Sequence, residues 1–215
     1  MSILTILLLT AAPSPARAGD GARGSARAEP SAYSWLDADV PADTYTIIYV
    51  TGLSAAEVTQ GLGSVQKRLG TVTRDRVERY QSHHIDTSTY TAPLVAQVQE
   101  HGPGVVAYLS FGLVDDATVA ALSSQGTAAS FFTDVELDTY VTIARRGEVV
   151  RQFDAGSRPP AAGALPEENG LDWGTRRQNI FATAWAFLER LTRIHVSQHW
   201  FDRAHPAFVY LEQTS

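Results

Sequence analysis

Apolar positions recur along the chain with two periods, and these divide it into elements. Residues 44–50 (Thr-Tyr-Thr-Ile-Ile-Tyr-Val) are β-branched and aromatic, apolar at odd and even positions alike, and bounded by Pro41 and Gly52, which predicts an interior strand. Residues 105–113 form a second, nearly continuous apolar run, and 127–133, 138–145 and 148–153 have strand composition too. Only Arg146-Gly147 separates the last two runs, so they must be antiparallel neighbours, and a purely parallel sheet is excluded.

Helical spacing appears between these runs. Ser54 and Glu57 form a capping box while Leu53 and Val58 occupy the hydrophobic-staple positions, two local rules that agree on one helix start. Pro93 opens a segment carrying Leu94, Val95 and Val98 that stops at Gly102-Pro103, which predicts a second helix. Asp115 or Asp116 caps a short helix with Val119 and Leu122 that ends at Gly126. Thr175 and Gln178 form another capping box, opening a long helix whose stripe is Ile180, Phe181, Ala184, Trp185, Leu188 and Leu191. Arg176, Arg177, Asn179, Glu189 and Arg190 face away from that stripe. Residues 66–80 are charged and carry a helical reading only over 74–80, and 82–89 read as a loop. Ser197 caps a last short helix, leaving 208–211 after Pro206 as a terminal extension or edge strand.

Together these elements predict an α+β fold: a mixed, largely antiparallel sheet of about five strands with helices packed on it, in a single domain over residues 35–215. Upstream, residues 3–12 are apolar over roughly the length of a signal peptide, too short to span a bilayer of about 30 Å, and Ala16-Arg17-Ala18 offers a cleavage site. No Lys or Arg precedes the apolar run, so the reading stays double. If the leader 1–18 is removed the protein is secreted, with no stable membrane anchor left; if it is retained the protein is cytoplasmic. Residues 19–34, rich in Gly, Ala, Arg, Ser and Pro, read as a disordered linker.

Composition narrows the chemistry. The 215 residues are 44% hydrophobic and 19% charged, which is the balance of a folding chain. A formal net charge of -6 argues against a nucleic-acid partner, because such a surface repels phosphate. The absence of cysteine excludes disulfides, thiolate catalysis and Cys-ligated metals. No motif calls for a cofactor.

Several segments carry a resemblance. The segments are Trp35-Leu36, residues 45–50, Gly52-Leu53, Glu57-Val58 and Leu62-Gly63, then Leu122-Ser123, Gly126-Thr127 and Ala129-Ser130-Phe131, then residues 147–154, then 186–192 followed by Val196 and Ser197. In this order they resemble an actinobacterial family known as domain of unknown function 6461, over about residues 34–201. These are mostly core and turn residues, so the resemblance implies a fold and no chemistry. A tryptophan-glycine pattern usual in the family's middle strands is replaced here by Tyr108-Leu109-Ser110-Phe111-Gly112.

Candidate reactive groups are few. His195, His199 and His205 with Asp202 have ligand-type side chains, but their spacing matches no zinc motif, so no metal site is assigned. His83-His84 with Asp86 could act as base and orienter beside Ser82 or Ser88, yet neither serine lies in a Gly-x-Ser-x-Gly elbow. Gly61-Leu62-Gly63 lacks the context of a dinucleotide loop. Asp115-Asp116 read as caps and Glu167-Glu168 as solvated loop charges, while Arg176-Arg177 at a helix start oppose the macrodipole. No catalytic residue is therefore assigned. Residues 155–174 form a loop of unusual length, and its Trp173, with Asp154 and Arg158, is the candidate binding group; otherwise Trp173 folds back over the following helix. The functional expectation is a non-enzymatic interaction module, immunity-like or regulatory, with a protein partner. The alternative is a small hydrolase or ligand-processing enzyme that uses His83 or His84.

Overall fold

The computed structural model describes residues 28–37, 44–86, 88, 92–136, 138–157, 159–173 and 177–211. Its strands are β1 (Tyr45–Thr51), β2 (Val65–Val72), β3 (Val95–His101), β4 (Gly104–Ser110), β5 (Thr127–Thr133), β6 (Thr139–Arg145), β7 (Glu148–Asp154) and β8 (His205–Tyr210). They form a single sheet in the order β2-β8-β3-β4-β1-β5-β6-β7, in which every neighbouring pair is antiparallel. The expected α+β class holds, but the sheet has eight strands instead of about five and is antiparallel throughout instead of mixed. Helices α1 (Ala55–Gly61) and α3 (Asp116–Leu122) pack on one face. The other face carries α2 (Arg74–Ser82), α4 (Arg177–Thr192), α5 (Gln198–Phe201) and a 3-10 segment, Pro30–Asp37.

β1 lies at the centre. Tyr45, Ile47 and Tyr49 point into the α4 core while Ile48 and Val50 point into the α1 core, which is why the run is apolar at every position. The hairpin between β6 and β7 turns on Arg146 and Gly147, both at positive φ (53° and 87°), the geometry that matches the right-handed twist of the strands. Ser54 and Glu57 make the reciprocal bonds of a capping box, and Asp115 caps α3 through the Thr118 amide at 2.7 Å.

Two elements correct the local reading. Residues 95–101 are strand β3, not helix, because Gly102 takes φ 57° and Pro103 holds a φ suited to the second position of a tight turn, so Gly-Pro closes a hairpin onto β4. Val95, Ala96 and Gln97 are then paired on both sides, and with Val98 they are buried on both faces of the sheet, which imitates helical spacing. β8 is no edge: it lies between β2 and β3, and the edge on that side is the charged, exposed β2. The linker assignment is corrected at its end, since Pro30–Asp37 is helical and Tyr33 is fully buried edge-on to Trp185. Residues 1–27, with the leader, lie outside the described residues, as do Thr175 and the side chains of Arg176, Arg177 and Gln178. Described α4 residues are buried well beyond one stripe, because Pro30–Asp37 packs against the helix in addition to the sheet.

Residues 155–173 are strapped to β7. Arg151, 5% exposed, reaches both Glu168 oxygens (Nε at 2.9 Å, Nη2 at 3.0 Å) and donates to the carbonyls of Ala162 and Pro160. Glu168 Oε1 also accepts the Leu165 amide at 2.8 Å. Glu168 is therefore a buried anchor, not a solvated charge, and Glu167 pairs with Arg145 at 2.9 Å. Arg190 does not face away either: its guanidinium, 4% exposed, gathers the carbonyls of Ala28, Glu167 and Asn169. Replacing Arg151 by Met strands the Glu168 carboxylate in a buried site, so R151M should lose about 3–5 kcal/mol in urea unfolding, whereas R151M/E168L should recover most of it. A loss below about 1 kcal/mol for R151M would show that water replaces the guanidinium.

Candidate functional site: a cleft on the α1 face

α1 has only seven residues, and Leu62 closes it before the Gly63 turn. It shields β3 and β4 but stops short of β8 and β2. The uncovered sheet beside it forms the floor of a cleft of about 820 Å³. Val98, Pro206 and Phe208 line this floor, and Ala56, Thr59 and Gln60 of α1 form one wall. The size falls within the ordinary range of ligand sites.

Two opposite charges bracket the floor. Arg68 of β2 stands over the Phe208 ring at 5.8 Å, and Glu100 lies on β3. Both are exposed, and neither has an ion-pair partner among the described residues. Phe208 pairs with both Arg68 and Ala96, and Glu100 lies four residues beyond Ala96 on the same side of β3. At about 3.3 Å per residue the two charges are therefore separated by roughly 13 Å along the strand. The lining contains no His, Lys, Asp or Cys. Its Thr59 hydroxyl donates to the Ala55 carbonyl at 2.7 Å, a bond within the helix that leaves no nucleophile paired with a base.

The residues singled out from sequence are dispersed. Asp154 ends β7 and accepts from Thr139 Oγ1 (2.9 Å), the Gly156 amide (2.8 Å) and Ser157 Oγ (2.8 Å). Its partial burial would raise its pKa, but these bonds, led by Ser157, hold it below the usual range, so it acts as a turn staple. Arg158 lies outside the described residues. Trp173 folds back, edge-on to Phe153 at 4.9 Å and Phe187 at 5.6 Å, while also lining a hollow of about 530 Å³ with Pro159, Pro160 and Asp172.

His83 and His84 are exposed at the end of α2, where their Nδ1 atoms donate to the Arg79 and Tyr80 carbonyls at 2.6 and 2.7 Å. Asp86 binds the Ser88 hydroxyl and amide, so the base, orienter and nucleophile of a hydrolytic site are not brought together in a concave site. Among the described residues no group of three His, Asp or Glu side chains is placed to hold a metal. His205 is buried and stacked on Trp200 at 4.2 Å, whereas His199 is exposed.

One polar cluster escaped sequence reasoning. Glu189 accepts the Tyr33 hydroxyl at 2.7 Å and His195 Nδ1 at 3.0 Å, a contact between a 3-10 segment, a helix and a loop that no local spacing announces.

A family model covers residues 26–213, nearly the whole domain just described. The chain belongs to DUF6461, a family of unknown function. Neither a curated protein nor a solved structure matches it. This DUF6461 chain builds its cleft from three segments that are distant in sequence. The cleft residues had no signature in the sequence because β8 joins β2 only across some 140 positions. Among the described residues no helix is long and apolar enough to cross a membrane.

Two histidines give the fold opposite responses to pH. The bond to Glu189 raises the pKa of half-exposed His195, so its contribution is complete below about 6.5 and fades as pH rises through the raised value. Burial lowers that of His205, with Arg203 and His101 adding to it, so its contribution is present above about 6.5 and is lost as pH falls through the lowered value. Urea unfolding at pH 5 to 8 should therefore show H195Q differing most from wild type in acid and H205Q differing most above neutrality. Parallel curves for the two variants would contradict the assignment.

Proposed function

We propose that this chain is a non-enzymatic binding module that takes an extended segment of a partner protein into the α1 cleft, in an immunity-like or regulatory role. The observation that carries this reading is the apolar floor of Val98, Pro206 and Phe208 bracketed by two exposed charges of opposite sign, neither ion-paired among the described residues. An extended segment of about five residues, lying diagonally across β8, matches the spacing of roughly 16 Å from Arg68 to Glu100, with an acidic group at Arg68, apolar side chains over Phe208 and Val98, and a basic group or free amine at Glu100. The cleft lining offers contact groups and no reactive pair, which favours binding over the hydrolase alternative. Export follows as part of the proposal if the leader is cleaved, placing the partner outside the cell.

Panning a random peptide library against the full chain should enrich sequences with this order of charge. A56W, which puts a large ring on the exposed wall, should abolish their binding, and R68E/E100K should reverse the preferred order. Enrichment without charge order, or equal binding to A56W, would remove the cleft from consideration.

A second reading rests on Trp173. Its Nε1 is buried without a partner at the edge of the 530 Å³ hollow, so the loop that also includes Asp154 and Arg158 could supply the contact surface instead. Binding that survives A56W and fails in W173F would select it.

A further inference from the structure

One end of the sheet carries large apolar side chains that no described element covers. After β4 the chain turns at Phe111, which holds a positive φ of 51°. The Thr46 hydroxyl then donates to the Gly112 carbonyl, which draws residues 111–114 onto the face where α1 and α3 pack and where Val114 joins the core. Phe132 is the neighbour of Thr46 on β5, and its ring stacks on that of Tyr140 at 6.2 Å. Val135 lies in the hairpin just beyond this pair. Leu113 and Val135 are 62% and 63% exposed, and Phe111 and Tyr140 are exposed as well. Single apolar residues are ordinary on a surface, but a group of them at one place marks an interaction surface. α3 does not cover it, because Asp116 at its start is bound by Thr142 (3.2 Å) and Gln152 (3.0 Å), beyond the Phe132–Tyr140 pair.

The rim of this patch is negative. Asp115 and Asp116 lie at the start of α3, Asp134, Glu136 and Asp138 in the hairpin, and Asp154 opposite Tyr140 on β7. Residues 111–116 and 132–140 contain no Lys or Arg. Neutral donors hold four of these carboxylates: Asp115 and Asp116 as described, Asp134 through the Glu136 and Asp138 amides (3.0 and 2.9 Å), and Asp154 through its turn. None of the six is ion-paired among the described residues. The bonds therefore orient the charges without neutralising them, whereas the cleft carries one charge of each sign.

An apolar centre inside an acidic rim selects its occupant by charge complementarity. We infer that the Leu113–Phe132–Tyr140 patch docks an amphipathic, basic segment of a partner protein, its apolar stripe over these side chains and its cations against Asp116, Glu136 and Asp138. A nucleic acid or an anionic lipid surface is repelled by the same rim. The patch belongs to β5, β6 and β7, on the far side of β1 from the cleft on β2, β8 and β3, and does not depend on it.

Fluorescence anisotropy of a labelled amphipathic helix built from leucine and lysine, titrated with the full chain, tests the assignment. That peptide should bind saturably and weaken as salt rises, and its counterpart with glutamate in place of lysine should not bind. L113S, at a side chain already exposed, and E136K/D138K should each weaken binding about tenfold. E100K/E148K changes the net charge equally and should leave it unchanged. Equal binding of the two peptides, equal affinity in L113S and wild type, or a loss in E100K/E148K as large as in E136K/D138K would overturn it. Sedimentation equilibrium in which wild type dimerises and L113S does not would overturn it too, since the occupant would then be a second copy.

Discussion

The fold depends on one strand being enclosed on four sides. β1 pairs with β4 along one edge and β5 along the other, and Tyr45 to Val50 are at most 1% exposed. The enclosure demands close backbone approach where the neighbours begin. A Cβ on Gly104 would meet the Val50 carbonyl oxygen at 2.1 Å, and one on Gly126 would meet that of Thr51 at 2.3 Å, so both positions admit glycine alone without a backbone shift. With β1 held in this way, each further strand adds to one edge, and each helix covers what the alternating side chains present.

The two faces handle polarity differently. On the α4 face the ion pairs serve as fastenings: Arg151–Glu168 and Arg190 tie a loop rich in proline and glycine to the sheet and to α4 through carbonyls that such a loop could not satisfy alone. The same face packs the rings of Trp35, Tyr108 and Trp185 around Phe201. The α1 face has fewer buried polar groups and ends in a cleft, because a seven-residue helix cannot cover strands added beyond β3. A short helix and a late-joining strand thus create a concave site from ordinary parts.

Much of the strand and helix content was legible. β1, β5, β6, β7, both capped short helices and the Arg146-Gly147 turn rest on rules that act within a few residues, and the structure reproduces them. β3 was misread because Gly102-Pro103 suits both a helix stop and a hairpin turn, and the choice belongs to its partners β4 and β8. β2 was missed because an exposed, charged edge strand carries almost no apolar period. Among the candidate binding groups, Asp154 and Trp173 have local structural roles, and the cleft went unseen because Arg68, Glu100 and Phe208 come from three distant segments.

By itself the sequence determined the class of fold, the central strand, the antiparallel hairpin and the absence of cysteine chemistry, since composition and short-range sterics are sufficient for each. Only the tertiary structure decided that β8 enters between β2 and β3, that Glu168 and Arg190 are buried, and that Trp35, Tyr108 and Trp185 meet around Phe201. Those outcomes depend on loop closure between distant residues, whose entropic cost is offset by burial and pairing summed over the whole domain. No local pattern records that sum.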